Sequence, residues 1–206
     1  MGRTAQISRT DVLAAALELA DEAGLESVTM HAVGRHLAVT PMALYRHVGG
    51  KDALLDGLVE TLLTEVTETA AAAPAPAEPL APWEPLAPGE PLAPGEPRPP
   101  WETRLVALAY AMRDTARRHP AAFPLLLSRP AVTAPARAAR DAVYLGLREA
   151  GLPAESVPRA ERLVSTAILG FAASEAAGRF AGHDQAVIDA DFAELLRWLR
   201  LALTTS

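Results

Sequence analysis

Between Pro74 and Pro100 the chain places eleven of its eighteen prolines. Neither a helix nor a central strand survives that density, because each proline removes a backbone donor and fixes φ. Most of them belong to one hexapeptide written almost four times, EPLAPW, EPLAPG, EPLAPG, EPRPPW, from Glu78 to Trp101. Proline at every third position or closer favours polyproline II, and 24 such residues extended span ~74 Å. Helices packed side by side need no such reach. The repeat is therefore expected to loop out as a spacer, a tandem duplication of a tolerated surface loop. The sharper alternative is a docking segment anchored by Trp83 and Trp101. In either case residues 74–100 divide the chain, and its function is to be sought on the two sides.

Both sides are rich in alanine and leucine and poor in aromatics, a composition that favours helices. In "SRTDVLAAALELADEAG", Ser8 is an N-cap with Asp11 three residues on, and Val12, Leu13, Ala16, Leu17 and Ala20 share one face. Gly24 is expected to end that helix as a left-handed residue. "VTMHAVGRHLAV" follows, capped by Thr29, with Met30, Val33 and Leu37 in register. Thr40 before Pro41 is a strong helix start, and "PMALYRHV" then runs for about two turns to Gly49-Gly50. Two short helices behind a longer one predict a helix-turn-helix unit. A fourth helix from Lys51 carries Leu54, Leu55, Leu58, Leu62 and Val66 as a stripe and ends near Pro74. After Trp101, "WETRLVALAYAMRDTARRH" is helical to His119-Pro120, "AAFPLLLS" is broken by Pro124, and three more helices are predicted over about 135–150, 154–180 and 189–203. The fold class is all-α.

Composition excludes several functions. Without cysteine there is no disulfide, thiolate metal site or cysteine nucleophile. No run of eighteen apolar residues and no signal layout is present, so a soluble cytoplasmic protein is expected. The chain has no glycine-rich phosphate loop, HExxH, GxSxG or carboxylate–histidine cluster at ligand spacing, so no enzyme, metal or cofactor is expected. The net charge of −6 argues against a nucleic-acid partner until its distribution is inspected.

From Ser27 to Lys51 there is no Asp or Glu, while Arg35, Arg46, Lys51, His31, His36 and His47 all fall there. An acidic chain has kept carboxylates off the two helices that such a unit presents to DNA, and phosphate repulsion is sufficient reason. Here "LAVTPMALYRHVGGKDALLDGL" closely resembles the helix-turn-helix of the Tet-repressor (TetR) family of bacterial transcription regulators. The resemblance is dense over residues 8–66 and loose after Trp101. It implies an N-terminal DNA-binding domain (1–51), a connecting helix (52–73), the proline-rich loop (74–100) and a C-terminal ligand-binding and dimerisation domain (101–206). It makes the helix beginning at Thr40 the major-groove recognition helix, with Thr40, Pro41, Met42 and Ala43 at base edges. Tyr45, His47 and Lys51 resemble phosphate contacts, Arg46 reaches a base or a phosphate, and His31 resembles a residue that approaches the duplex. Leu44 and Val48 are assigned to the core. Ala38 stands where the family usually has Gly, and Gly34 where it usually has Ala.

The same resemblance implies a homodimer paired through the last two long helices, with Ala167, Gly170, Ser174 and Ala177 on one and Phe192, Leu195, Leu196 and Leu199 on the other. Two-fold symmetry suits a palindromic operator whose half-sites lie ~34–36 Å apart. Candidate liners of an effector pocket, chosen on bulk, are Tyr110, Met112, Phe123, Leu127, Tyr144 and Phe171. A tetracycline–magnesium site is not expected, since the family's type member uses a histidine on its fourth helix and no histidine lies between His47 and His119 here. The function implied is a DNA-binding repressor released by a small molecule. The alternative is a helical scaffold that acts by protein contact through the proline-rich segment. Deleting residues 78–98 is expected to leave DNA binding and dimerisation intact, measured by operator titration and light scattering; loss of either would overturn the spacer reading.

Overall fold

The computed structural model describes residues 7–72 and 100–204, and the proline-rich repeat lies outside the described residues apart from Pro100 and Trp101, which open a helix. Among the described residues the chain is helical throughout, without a strand. Helix α1 (Arg9–Ala23) begins in a capping box: Asp11 N–H donates to Ser8 Oγ at 3.1 Å, and Ser8 N–H donates to Asp11 Oδ2 at 2.8 Å. The Ser8 N–H, together with the Ser8 hydroxyl donating to the same oxygen at 2.8 Å, holds the Asp11 carboxyl below its ordinary value. Gly24 ends α1 with φ +82°, as expected, but its ψ of 161° is extended and not left-handed helical. That geometry launches a short 3₁₀ turn, Leu25–Ser27.

Helices α2 (Met30–His36) and α3 (Pro41–Val48) cross against α1, and α4 (Lys51–Ala72) closes the unit. Gly57 permits the approach of α4 to α1, since a Cβ there would lie 2.4 Å from Leu13 Cδ2. Val12, Ala16, Leu44, Leu54 and Leu58 form the fully buried heart of this core. The core also takes in Ala122 and Leu125 from the second half of the chain, so the two halves share apolar packing.

The second half is α5 (Pro100–Arg118), α6 (Leu125–Ser128), α7 (Ala134–Glu149), α8 (Val157–Ala176) and α9 (Gln185–Thr204). Helix α5 is its centre, packed on α4, α7 and α8. Helix α8 stops at Ala176, short of the predicted end near residue 180. Gly178 takes φ +73°, and Gly178 N–H and Arg179 N–H bond back to the Glu175 and Ser174 carbonyls, which terminates the helix in a Schellman motif. Helix α9 starts four residues earlier than its predicted position.

Two charged layers pin the halves together. Arg129 donates from Nε to Asp56 Oδ1 at 2.8 Å and from Nη2 to the Asp52 carbonyl at 3.1 Å, gripping the first turns of α4. His119 lies between Asp21 of α1 (2.7 Å) and Glu65 of α4 (3.1 Å), and Arg118 pairs with the same Glu65. No described helix is long and apolar enough to cross a membrane.

Candidate nucleic-acid interface

Helix α2 ends in a turn that fixes the angle of α3. Val39 N–H reaches the Gly34 carbonyl at 2.8 Å and Ala38 N–H the Arg35 carbonyl at 3.2 Å, the two bonds of a Schellman motif. Ala38 is its pivot, at φ +54°, the one non-glycine residue with positive φ among the described residues. Gly34 faces the turn: a Cβ there would sit 3.0 Å from the Val39 carbonyl oxygen and 3.4 Å from Pro41 N. Left-handed backbone costs an L-residue roughly 1–2 kcal/mol, partly offset by the extra unfolded-state freedom of glycine. Ala38→Gly is therefore expected to stabilise the chain by about 0.5–1 kcal/mol, read as a raised denaturant midpoint at unchanged slope.

Leu44 and Val48 point inward and are buried. That rotation turns Thr40, Met42, Tyr45 and Arg46 to solvent, where they line one shallow concavity together with the half-buried Ala43. Met42 is 75 % exposed, on a face where no core contact explains a large apolar side chain. Thr40 sits at the N-cap, yet its hydroxyl makes no capping bond and is left available. Pro41 holds the first helical position and is half-buried, as is His47 one turn beyond Ala43. Tyr45 lies beside the start of α4: a Cβ on Gly50 would be 3.9 Å from its Cε1. Lys51, exposed, opens α4 with its free amides, and His31 is exposed at the start of α2.

The electrostatics of this face are simple. Among the described residues Arg35, Arg46 and Lys51 have no ion-pair partner, whereas Arg9, Arg104, Arg113, Arg117, Arg118 and Arg129 are all paired to carboxylates. His36 is turned away to Glu18 on α1 at 3.0 Å. Arg35, Arg46 and Lys51 thus leave this acid-free surface with cations that no described carboxylate neutralises, available to a polyanion.

The residues put forward for an effector pocket do not assemble into one. Tyr110 and Phe171 both pack on Phe192, with ring centroids 5.3 and 5.1 Å away. Phe123 is fully buried in a separate cluster with Ala116 and Ala172, Met112 lies at that cluster's edge, and Tyr144 sits under Arg140. Leu127 is on the surface of α6, so it lines nothing. A cleft does open between α5, α8 and α9, bordered by Trp101, Glu102, Leu105, Val164, Ile168 and Leu196. Its cavity volume is ≈ 30 Å³, far short of the ~300–1,000 Å³ of a typical small-molecule site.

On α9 the residues expected at the dimer seam are divided. Phe192 is 0 % exposed and Leu196 is buried, both inside the subunit's own core, with Leu195 and Leu199 packed beside them. The outward row is Val187, Trp198 and Leu201. On α8, Ala167, Gly170 and Ser174 are half-buried and Ala177 exposed, and a Cβ on Gly170 would meet nothing within 4 Å. Leu163, 63 % exposed, extends that row by one turn.

One buried cation was missed. Arg113, 3 % exposed, donates to Glu175 (2.6 and 2.8 Å) and Asp189 (2.7 Å) and lies over the Phe192 ring. Its signal was present in the sequence, as a lone arginine in the buried row Val106, Ala109, Arg113, Ala116.

Comparison with known proteins identifies relatives of both halves of the chain. Residues 12–58 match the model of bacterial regulatory proteins of the tetR family, and residues 105–199 match a tetracyclin repressor-like C-terminal domain, together more than half of the chain. Tetracycline repressor protein class G of Vibrio anguillarum is 42 % identical over 60 residues, 29 % of this chain and 29 % of that protein. An HTH-type transcriptional regulator of Saccharopolyspora erythraea is 26 % identical over 191 residues, covering 93 % of this chain and 70 % of the relative. The crystal structure of apo ActR from Streptomyces coelicolor superposes with a TM-score of 0.73 at 19 % identity, over 98 % of this chain and 97 % of that one.

Proposed function

This chain belongs to the TetR family of bacterial regulatory proteins, and from that premise we propose that it is a cytoplasmic, homodimeric transcriptional repressor that releases a palindromic operator when a small molecule binds. The observation that carries the reading is the α2–α3 face: acid-free from Ser27 to Lys51, with its three cations unpaired among the described residues and Thr40, Met42, Ala43, Tyr45 and Arg46 along one concavity. Thr40, Pro41, Met42 and Ala43 present the N-terminal end of α3 to base edges. Tyr45, His47, Lys51 and His31 flank it towards the phosphates, where the free amides of α4 also attract an anion.

The second subunit joins through α8 and α9, along Leu163, Ala167, Gly170, Ser174 and Ala177 and the outward row of Val187, Trp198 and Leu201. Small residues on α8 let a partner helix approach closely, and the apolar side chains of α9 supply the buried area. An effector in the α5–α8–α9 region acts through α4. Arg129, His119 and the shared packing of Ala122 and Leu125 couple movement of the second half to the helix that carries the DNA-binding unit. The effector shifts the equilibrium only by its differential affinity for the two arrangements.

The experiment is selection of random duplex DNA by the purified protein, with Lys51→Ala in parallel. A palindrome is expected, bound more weakly by the variant across all sequences. Loss of one phosphate contact per subunit should flatten the dimer's log–log salt slope by about 2. No enriched sequence at low salt would overturn DNA recognition in favour of a scaffold.

A further inference from the structure

The direct-readout code of the major groove assigns each base a partner chemistry: Asn or Gln to adenine, Asp or Glu to the cytosine amino group, Arg or Lys to guanine, and an apolar group to the thymine methyl. This chain has no asparagine at all. Its two glutamines are Gln6 and Gln185, the first ahead of α1 and the second at the start of α9, and the window from Ser27 to Lys51 has no acid. Amide-to-adenine and carboxylate-to-cytosine contacts are therefore unavailable to α2 and α3. The recognition face offers instead an exposed Met42, the Ala43 methyl, the uncommitted Thr40 hydroxyl and Arg46 one turn further along the same face.

We propose that operator choice rests on thymine methyl groups read by Met42 and Ala43 and on one guanine per half-site read by Arg46. This deepens the reading of α3 as the recognition helix and rests on it. A methionine suits the task because its flexible thioether chain adapts to a methyl in the groove floor. Its exposure has no counterpart in the core, which Leu44 and Val48 already fill. Arg46 has no carboxylate partner among the described residues, so its fork is free for the O6/N7 edge of guanine.

The test begins with the palindrome recovered by selection. Each thymine of a half-site is replaced singly by deoxyuridine, which removes only the C5 methyl. At one or two positions the replacement should weaken binding about fourfold per half-site, the equivalent of one buried methyl group. Met42→Ala should bind the thymine and uracil forms of one such position equally. Arg46→Ala, selected afresh, should lose its preference at one guanine and keep the rest of the consensus. Both side chains are exposed, and an unchanged melting curve shows the variants are folded.

If uracil is neutral at every position of a recovered operator, the methyl assignment is overturned while the regulator reading stands. If Arg46→Ala weakens all sequences alike and keeps the full consensus, Arg46 is a phosphate contact and its assignment falls. If the parent recovers no operator, both this proposal and the regulator reading fail.

Discussion

A Trp198→Glu chain is expected to elute as a monomer at concentrations where the parent is a dimer, and to lose about 10²–10⁴ in operator affinity. The magnitude follows from geometry: two linked recognition helices turn the second half-site into an intramolecular encounter, and a monomer forfeits that effective concentration. Trp198 is 60 % exposed on the outward row of α9, so a carboxylate there is solvated in the free subunit and is stranded only when a second copy covers it. Its affinity for an isolated half-site should be unchanged, which separates loss of pairing from damage to α3. Phe192→Ala provides the contrast. It removes a fully buried ring from the subunit core and should cost about 3–5 kcal/mol of folding stability. Light scattering with operator titration makes the measurement; a Trp198→Glu dimer with parental affinity would show that the subunits pair elsewhere.

The second large effect concerns the buried ion cluster that ties α5 to α8 and α9. Arg113→Ala is expected to destabilise the fold by about 3 kcal/mol, lowering the melting temperature by roughly 6–12 °C for a chain of this size. The loss comes from stranding Glu175, whose carboxylate is almost fully buried and keeps only Arg117 and Gln185 as donors. Stacking on Phe192 and Phe171 disappears with the guanidinium. Removing the carboxylate as well, in Arg113→Met with Glu175→Leu, should recover more than half of the loss, because no uncompensated charge then remains buried.

The same cluster gives the fold an acid limit. Burial alone would raise the Glu175 carboxyl, but hydrogen bonds from Arg113, Arg117 and Gln185 outweigh it and hold the group below its ordinary value of 4.5. Asp189 is lowered too, through hydrogen bonds from Gln185, Arg113 and Arg117. Depressed folded values mean that the unfolded chain takes up protons first as pH falls. The contribution is thus present in full above about pH 4.5, and is lost as pH drops through the folded values. Chemical denaturation between pH 7 and pH 3 should show that loss in the parent and a smaller one in Arg113→Ala.

What the sequence determined by itself is local. Ser8 with Asp11 and Thr29 mark helix starts because a cap acts within one turn, Thr40-Pro41 because proline fits the first helical position, and each marks the start found. The inward rotation of α3 follows from Leu44 and Val48, since its other face holds no comparable apolar row except Met42. Gly178, by contrast, ended α8 where periodicity ran on to residue 180.

Tertiary structure decided what local pattern leaves degenerate. Helix α9 has two apolar rows, Ile188–Phe192–Leu196 and Val187–Trp198–Leu201, and periodicity cannot choose between them. The aromatic cluster of Tyr110, Phe171 and Phe192 makes the choice, drawing the first row inward and leaving the second to solvent. Bulk alone scattered the pocket candidates for the same reason, because a large side chain fills core and cavity equally well. The partners of Arg113 lie 62 and 76 positions away, and His119 meets Asp21 across 98. No helical spacing encodes such pairs; they exist only once α1, α4, α5, α8 and α9 have packed, since the distances that give a buried charge its partner are set by packing between helices.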